Sequence, residues 1–172
     1  IISSKEIVKK AITDYKPYAI VLMLSGGDDS MTALTVAKYL NIPFTHIMHG
    51  VTGTGIQETY DYVKDVVSKE SAIYLEANAG NSYINYVMRK GFFGVGLSAH
   101  AFSYHILKQD HFEREVSKHI RQHKPGRKIL FINGARRSES ENREKTMVNP
   151  IKITKRRPND VWVNIINEWD KH

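Results

Sequence analysis

The chain reads as a single α/β domain over residues 1–172, a mainly parallel sheet with helices on both faces. Three observations predict this. Short apolar runs alternate with segments of helical periodicity, the pattern of strand–helix–strand units. Glycine-rich turns follow the apolar runs directly, where a parallel sheet places its ligand crevice. The length of 172 residues, with 41% of them apolar, supports one real core.

Ser3 and Glu6 have capping-box spacing, and Ile7, Val8, Ala11 and Ile12 then form one stripe, predicting a first helix from Ser4 to Tyr15. Lys16-Pro17 ends it. Ala19 to Leu24 is a buried strand, and Ser30 to Leu40 carries helical periodicity through Leu34, Ala37 and Tyr39. After the turn Asn41-Ile42-Pro43, Phe44 to His49 is a second strand, and Gln57 to Lys69 a helix with Tyr60, Val63 and Val67 recurring. Ala72 to Glu76 suits a third strand and Ser82 to Lys90 a short helix, which Gly91-Phe92-Phe93-Gly94 breaks. His100, Tyr104 and Lys108 follow at helical spacing, two turns from first to last, so they share a face. Phe112, Val116 and Ile120 mark another amphipathic helix, and a basic turn through Pro125-Gly126 leads to a fourth strand, Lys128 to Asn133. Asn149-Pro150-Ile151 opens a short strand. The Asp160-Val161-Trp162 segment is expected to start a terminal helix, capped by Asn159 or Asp160 and packed through Trp162, Ile165 and Ile166.

Composition bounds the chemistry. There are 25 Lys and Arg against 18 Asp and Glu, a net charge of +7 and a pI near 9.5, which favours polyanionic partners. The chain contains no cysteine, so it has no thiolate nucleophile, disulfide or cysteine-ligated metal centre of its own. Any sulfur carrier would be a separate protein. No membrane-spanning or secretory segment is visible, and the cytoplasm is the expected compartment.

The chemistry-bearing stretch is Ser25-Gly26-Gly27-Asp28-Asp29-Ser30, between the first strand and its helix. Two glycines allow close backbone approach, two serines supply hydroxyls, and the next helix aims free N–H groups and its positive dipole end at the same spot. That is a phosphate cradle, with a plain Gly-Gly-Asp turn between a strand and a helix as the alternative reading. It differs from the Walker loop, which needs a Lys before the Ser/Thr, because Asp29 stands there and suits a magnesium ion or an orienting contact. A second cluster, Gly134-Ala135-Arg136-Arg137-Ser138-Glu139-Ser140-Glu141-Asn142-Arg143, follows the fourth strand. Its guanidiniums can make forked hydrogen bonds to phosphate or sulfate oxygens, with Glu139 pairing one of them. A charged, solvated surface loop is the alternative reading.

The first stretch resembles the Ser-Gly-Gly-x-Asp-Ser signature of the PP-loop ATP pyrophosphatase superfamily, and all five defined positions match. That superfamily includes phosphoadenylyl-sulfate (PAPS) reductases, ATP sulfurylase small subunits, tRNA thiolation enzymes and DNA phosphorothioation ATP pyrophosphatases. Further along, Thr52-Gly53-Thr54-Gly55-Ile56-Gln57-Glu58-Thr59 resembles a Thr-Gly…Pro-Glu-Thr segment, with Gln57 in place of proline. The Gly91–Lys108 stretch resembles a Gly-Phe-Pro-Gly…His…Tyr…Leu-Lys segment of PAPS reductase relatives, with Phe93 in place of proline. The arginine cluster resembles Gly-x-Arg-x-x-Glu-Ser-x-x-Arg, and Asn149-Pro150-Ile151 with Asp160-Val161-Trp162 matches Asn-Pro-Ile…Asp-Val-Trp. The resemblance runs in order from Ala19 to Ile166.

It implies a Rossmann-like, adenine nucleotide alpha hydrolase-like domain that works at the bond between the α- and β-phosphates. The nucleotide, ATP with Mg²⁺, would be held by Ser25, Gly26, Gly27, Asp28, Asp29, Ser30, Met48, Thr52, Gly53, Gly134 and Arg136. Asp29 would hold the metal. The catalytic set would be Asp29 through that metal and Lys108, Arg136 and Arg137 by stabilising developing charge, and His100, Tyr104, Lys108, Glu139 and Arg143 would bind the substrate. The implied activity is ATP pyrophosphatase or adenylation chemistry that activates an acceptor. DNA or tRNA is one candidate acceptor, with sulfur delivered by a partner. The alternatives are a PAPS-binding relative without its catalytic cysteine, and a non-catalytic nucleotide- or DNA-binding module. PAPS reductases continue to a cysteine-bearing tail that is absent from these 172 residues. Either the chain is a piece of a longer one or the protein does not carry out that reduction.

Overall fold

In the computed structural model of the protein, residues 4–169 are described. The Ser3 half of the expected capping box lies outside them. The elements run α1 (Ser4–Tyr15), β1 (Ala19–Met23), α2 (Asp28–Tyr39), β2 (His46–Val51), α3 (Gln57–Ser68), β3 (Ile73–Asn78), α4 (Ser82–Lys90), α5 (Leu97–Tyr104), α6 (Asp110–His119), β4 (Ile129–Asn133), α7 (Glu141–Thr146), β5 (Ile151–Thr154) and β6 (Arg157–Asn164).

Six strands form one sheet in the order β3-β2-β1-β4-β6-β5. The first five are parallel, and β5 pairs antiparallel with β6 at the edge. The mainly parallel α/β domain predicted from the alternation of elements is therefore what the chain forms.

β1 is apolar throughout and β4 up to its last residue, Asn133, because both faces of the sheet are covered there. On β1, Ile20 and Leu22 enter a core with Val8 and Ala11 of α1, Leu34 of α2 and Val63 of α3. Ala19 and Val21 point the other way, to Val116 of α6 and to Phe131 of β4. Period-two alternation in the strand thus feeds two helix layers.

One expected element is wrong. The Asp160–Ile166 segment does not start a helix; most of it is β6, paired with β4 through Leu130↔Val161 and Ile132↔Val163. Val161 and Val163 are buried in one core, while Trp162 stacks on Phe131 in the other with ring centroids 4.6 Å apart. Alternating β-branched and aromatic residues fit a half-buried pleat better than a helix. Asp160 caps nothing. It is buried and receives two hydrogen bonds from Arg121, both 3.0 Å.

A second difference lies between α5 and α6. His105–Gln109 form a π-helical turn, closed by the Asp110 N–H donating to the His105 carbonyl. Such turns shift the phase of the side chains that follow. No helix among the described residues is long and apolar enough to cross a membrane.

Candidate active site

The sheet order reverses at β1, which sends its chain outward to β2 on one side and borders β4 on the other. In parallel sheets a ligand crevice opens at such a switch point, outside the carboxyl ends of the strands. A cleft of about 520 Å³ lies there, bounded by the loops after β1 and β4 and overhung by the π turn and α6.

The floor is the Ser25–Ser30 loop. Ser30 Oγ, buried, donates to the Gly27 carbonyl at 2.8 Å and accepts from the Ser25 N–H at 3.1 Å, with Ser25 Oγ at 3.0 Å. One hydroxyl thus closes the loop on itself. No side chain caps α2, and the Ser30 and Met31 N–H groups both return to the Gly27 carbonyl. The amides of Asp28 and Asp29 are left without an intrahelical partner, at the positive end of the helix. Gly26 has φ +87°, and a Cβ there would come within 2.8 Å of Thr59 on α3. It shapes the cradle from beneath and does not line the cleft.

The opposing wall is the loop after β4. Gly134 passes so close to α2 that a Cβ would lie 2.1 Å from the Asp29 carbonyl oxygen. That approach lets Arg136, buried, donate from Nε to Asp29 Oδ1 at 2.8 Å. The ion pair ties the two motifs together across 107 residues of sequence. The Arg136 N–H in turn donates to Glu139 Oε1 at 3.0 Å, and Glu139 ion-pairs with Arg143.

Most of the expected site residues meet here. Ser25, Gly27, Asp28, Asp29, Ser30, Met48, Tyr104, Lys108, Gly134, Arg136, Glu139 and Arg143 all line the cleft. Burial and the charge of Glu113 raise the Tyr104 pKa, so its phenol stays protonated near neutrality and can donate a hydrogen bond.

Besides Gly26, four expected residues lie outside the cleft. Arg137 turns away from the cleft: its Nε donates to the Glu144 carbonyl at 3.0 Å and its N–H to the Asn167 carbonyl at 2.9 Å. Arg136 is extended, with φ −105° and ψ 144°, so successive side chains point to opposite sides, and only one of the two arginines can face inward. His100 is exposed and does not line the cleft: Tyr104 and Lys108 both do, across the π turn, and His100 lies one helical turn earlier on α5, beyond the crevice. Thr52 and Gly53 do not line the cleft, and a Cβ on Gly53 would lie 3.2 Å from the Gly80 carbonyl oxygen.

Sequence reasoning missed Asn133, Phe112 and Trp162, which also line the cleft. Asn133 Oδ1 accepts from the Ala135 N–H at 2.9 Å and so shapes the turn into the arginine loop. A polar residue ending an otherwise apolar strand was the available signal. Phe112 and Trp162 gave none, since either reads as ordinary core.

Among the described residues no group of three or more His, Asp or Glu side chains could hold a metal by itself. Magnesium on a nucleotide needs only one or two protein carboxylates, the phosphates and water completing its shell. Asp28 and the second oxygen of Asp29 meet that requirement, and the uncapped helix end and Ser25 suit the phosphates.

A glycine–serine loop at the switch point of a parallel sheet, faced by a buried arginine, accords with the PP-loop class of nucleotide-binding proteins, and the family match places the chain there. Within it the chain belongs to the phosphoadenosine phosphosulfate reductase domain family, whose sequence profile matches residues 19–172. Three solved structures share the fold. The phosphate complex of the PAPS reductase of Candida auris has a TM-score of 0.65 at 15% identity, over 98% of this chain and 74% of that one. The NH3-dependent NAD synthetase of Campylobacter jejuni, in complex with nitrate, has a TM-score of 0.56 at 15% identity, over 79% and 55%. The FMN adenylyltransferase of Candida glabrata, in complex with ATP, has a TM-score of 0.55 at 12% identity, over 98% and 49%. The comparison with curated proteins returns no match.

Proposed function

We propose that the cleft binds ATP and activates an acceptor oxygen by attack on the α-phosphate, with pyrophosphate leaving. The observation that carries this reading is the Asp29–Arg136 pair, which fixes a guanidinium opposite the phosphate loop. Arg136 makes no other side-chain hydrogen bond to the described residues, and it lines the same cleft as Asp28 and Asp29. Donors held in place before charge develops are the main aid to phosphoryl-type chemistry. Lys108 adds positive charge from the overhanging π turn, Arg143 lines the cleft in its pair with Glu139, and Met48 offers an apolar contact for the base. Bound magnesium would neutralise phosphate charge, with Asp28 and Asp29 as its protein ligands. No general base stands out in the cleft, which suits an acceptor that is already an anion, such as a phosphodiester or sulfate oxygen. Sulfur insertion into an activated DNA or tRNA group, with a separate sulfur-donor protein, is one fate for such an intermediate.

The direct test is pyrophosphate release from ATP, with and without DNA, tRNA or sulfate. Asp29→Ala and Ser30→Ala are expected to weaken nucleotide binding or turnover about tenfold or more without unfolding the domain. Ser30→Ala leaves the Ser25 N–H without its acceptor, a loss of about 1–3 kcal/mol. Calorimetry showing natural affinity, together with natural turnover, in both variants would sink the assignment.

The family match favours a second reading, a PAPS-binding protein, in which Lys108, Arg136 and Arg143 hold sulfate or phosphate. The two readings differ in their electrons. Reduction of the sulfonyl group needs a thiol to attack sulfur, and these 172 residues hold no cysteine. With PAPS and thioredoxin the isolated chain is therefore expected to release no sulfite. Sulfite above the thioredoxin-only control would show that another nucleophile serves.

A further inference from the structure

We infer a second anion-binding surface at the opposite end of the sheet from the cleft, one that fits the phosphate backbone of a nucleic acid. It stands whether or not the cleft cleaves ATP. Two basic segments far apart in sequence meet there. The turn Lys124–Lys128 enters the amino end of β4, and the hairpin turn Lys155-Arg156 joins β5 to β6 beside it. The Lys128 ammonium donates to the Pro158 carbonyl at 2.6 Å, which links the two turns directly. The Tyr18 N–H donates to the Lys128 carbonyl at 2.8 Å, bringing Lys16 and the part-exposed Tyr18 ring to the same edge. The five residues of β4 separate this edge from the cleft, roughly 17 Å at strand rise.

Two features set these cations apart from an ordinary solvated face. First, Lys124, Arg127, Lys155 and Arg156 are exposed and have no acidic partner among the described residues. The carboxylates near them are already engaged. Glu113 holds Arg121 and Arg157, Asp160 holds Arg121, Glu115 meets His119, and Asp14 holds Lys10. Second, they stand in turns and not in the last turn of an α-helix, so complementing a helix dipole does not account for them. Lys16, just past the end of α1, has that explanation available and is left out of the core of the surface. Unpaired Lys and Arg clustered on one face are the electrostatic footprint of nucleic-acid binding. The turns carry no large apolar side chain to enter lipid, whereas the Tyr18 ring can stack on a base.

The test is fluorescence anisotropy with a labelled duplex DNA and a labelled RNA hairpin at about 50–200 mM salt, on the full chain. The natural protein is expected to bind at least one of them with a log–log salt slope near −4, about one unit per neutralised phosphate. The two arms decide between DNA and RNA as the source of the backbone. The fourfold variant Lys124→Gln, Arg127→Gln, Lys155→Gln, Arg156→Gln should bind at least tenfold more weakly and lose most of that slope. A charge-matched control, Lys5→Gln, Lys9→Gln, Lys90→Gln, Lys145→Gln, should stay within about threefold of the natural protein. Circular dichroism and ATP calorimetry on the same samples report whether fold and cleft survive, so failure here is distinguishable from failure of the cleft assignment. Equal losses in both variants would mean diffuse net charge and overturn the surface. So would no binding to either nucleic acid at the lowest salt, or tighter binding to phosphatidylserine vesicles than to nucleic acid.

Discussion

Gly134→Ala is expected to reduce ATP affinity by about a hundredfold or more and to lower the melting temperature of the domain. The reason is space and not backbone conformation. A Cβ at this position would sit 2.1 Å from the Asp29 carbonyl oxygen, 2.5 Å from its carbon and 3.0 Å from the Ser30 nitrogen. All three are backbone atoms of the helix that carries the phosphate loop, so no side chain can swing aside to relieve the clash. Overpacking of a closed site typically costs about 1–3 kcal/mol. Here relief requires moving β4 and α2 apart, which also withdraws Arg136 from Asp29. A loss of about 3 kcal/mol corresponds to roughly 6–12 °C for a domain of this size. Gly55→Ala is the control, since a Cβ there meets nothing within 4 Å. Thermal melts and ATP calorimetry on the two variants check the claim, and natural values for Gly134→Ala would show that the two walls are not in contact.

The second large effect is expected at Arg136. Lysine keeps the charge but cannot hold Asp29 through Nε while presenting two further donors to a ligand. Loss of a charge-assisted bond costs about 1.5–3 kcal/mol, so Arg136→Lys should lower nucleotide affinity or turnover tenfold to a hundredfold. The arrangement also predicts coupling. If Asp29 acts largely by holding Arg136, then Asp29→Asn in the Arg136→Lys background should add little. A double-mutant cycle should show an interaction of about 0.5–3 kcal/mol, as for residues in one network. Strict additivity would separate the roles of the two residues. Arg137→Lys, by contrast, changes a side chain bonded to the Glu144 carbonyl outside the cleft, and nucleotide affinity should hold within about threefold.

Much of the candidate cleft was legible because the geometry of its floor is local. Ser25 to Ser30 form their own hydrogen-bonded loop, and six consecutive residues suffice to show it. The second wall was legible as a cluster but not as an orientation. Whether Arg136 or Arg137 faces inward depends on the dihedral angles of a turn, and side-chain direction reverses with each extended residue. The shared spacing of His100, Tyr104 and Lys108 did not show how far the crevice reaches: Tyr104 and Lys108 line it across the π turn at His105–Gln109, and His100, a turn earlier on α5, stays exposed outside it. The misread segment at Asp160–Ile166 shows a similar limit. Its apolar residues fit a short buried strand or a buried helix, and periodicity alone does not separate them over so short a run.

The sequence alone determined the mainly parallel α/β fold, the place of the phosphate loop after β1, and the absence of any thiol in these residues. All three follow from order and composition: apolar runs alternate with amphipathic ones, and glycine and serine set local backbone geometry. Only the tertiary structure decided what lies across from the loop. The strand order β3-β2-β1-β4-β6-β5 puts β4 beside β1, and that adjacency brings Arg136 to Asp29 at one end of the sheet and the Lys124–Lys128 turn beside Lys155-Arg156 at the other. Sheet order is set by burial summed over the whole core, a quantity that no single stretch of sequence contains.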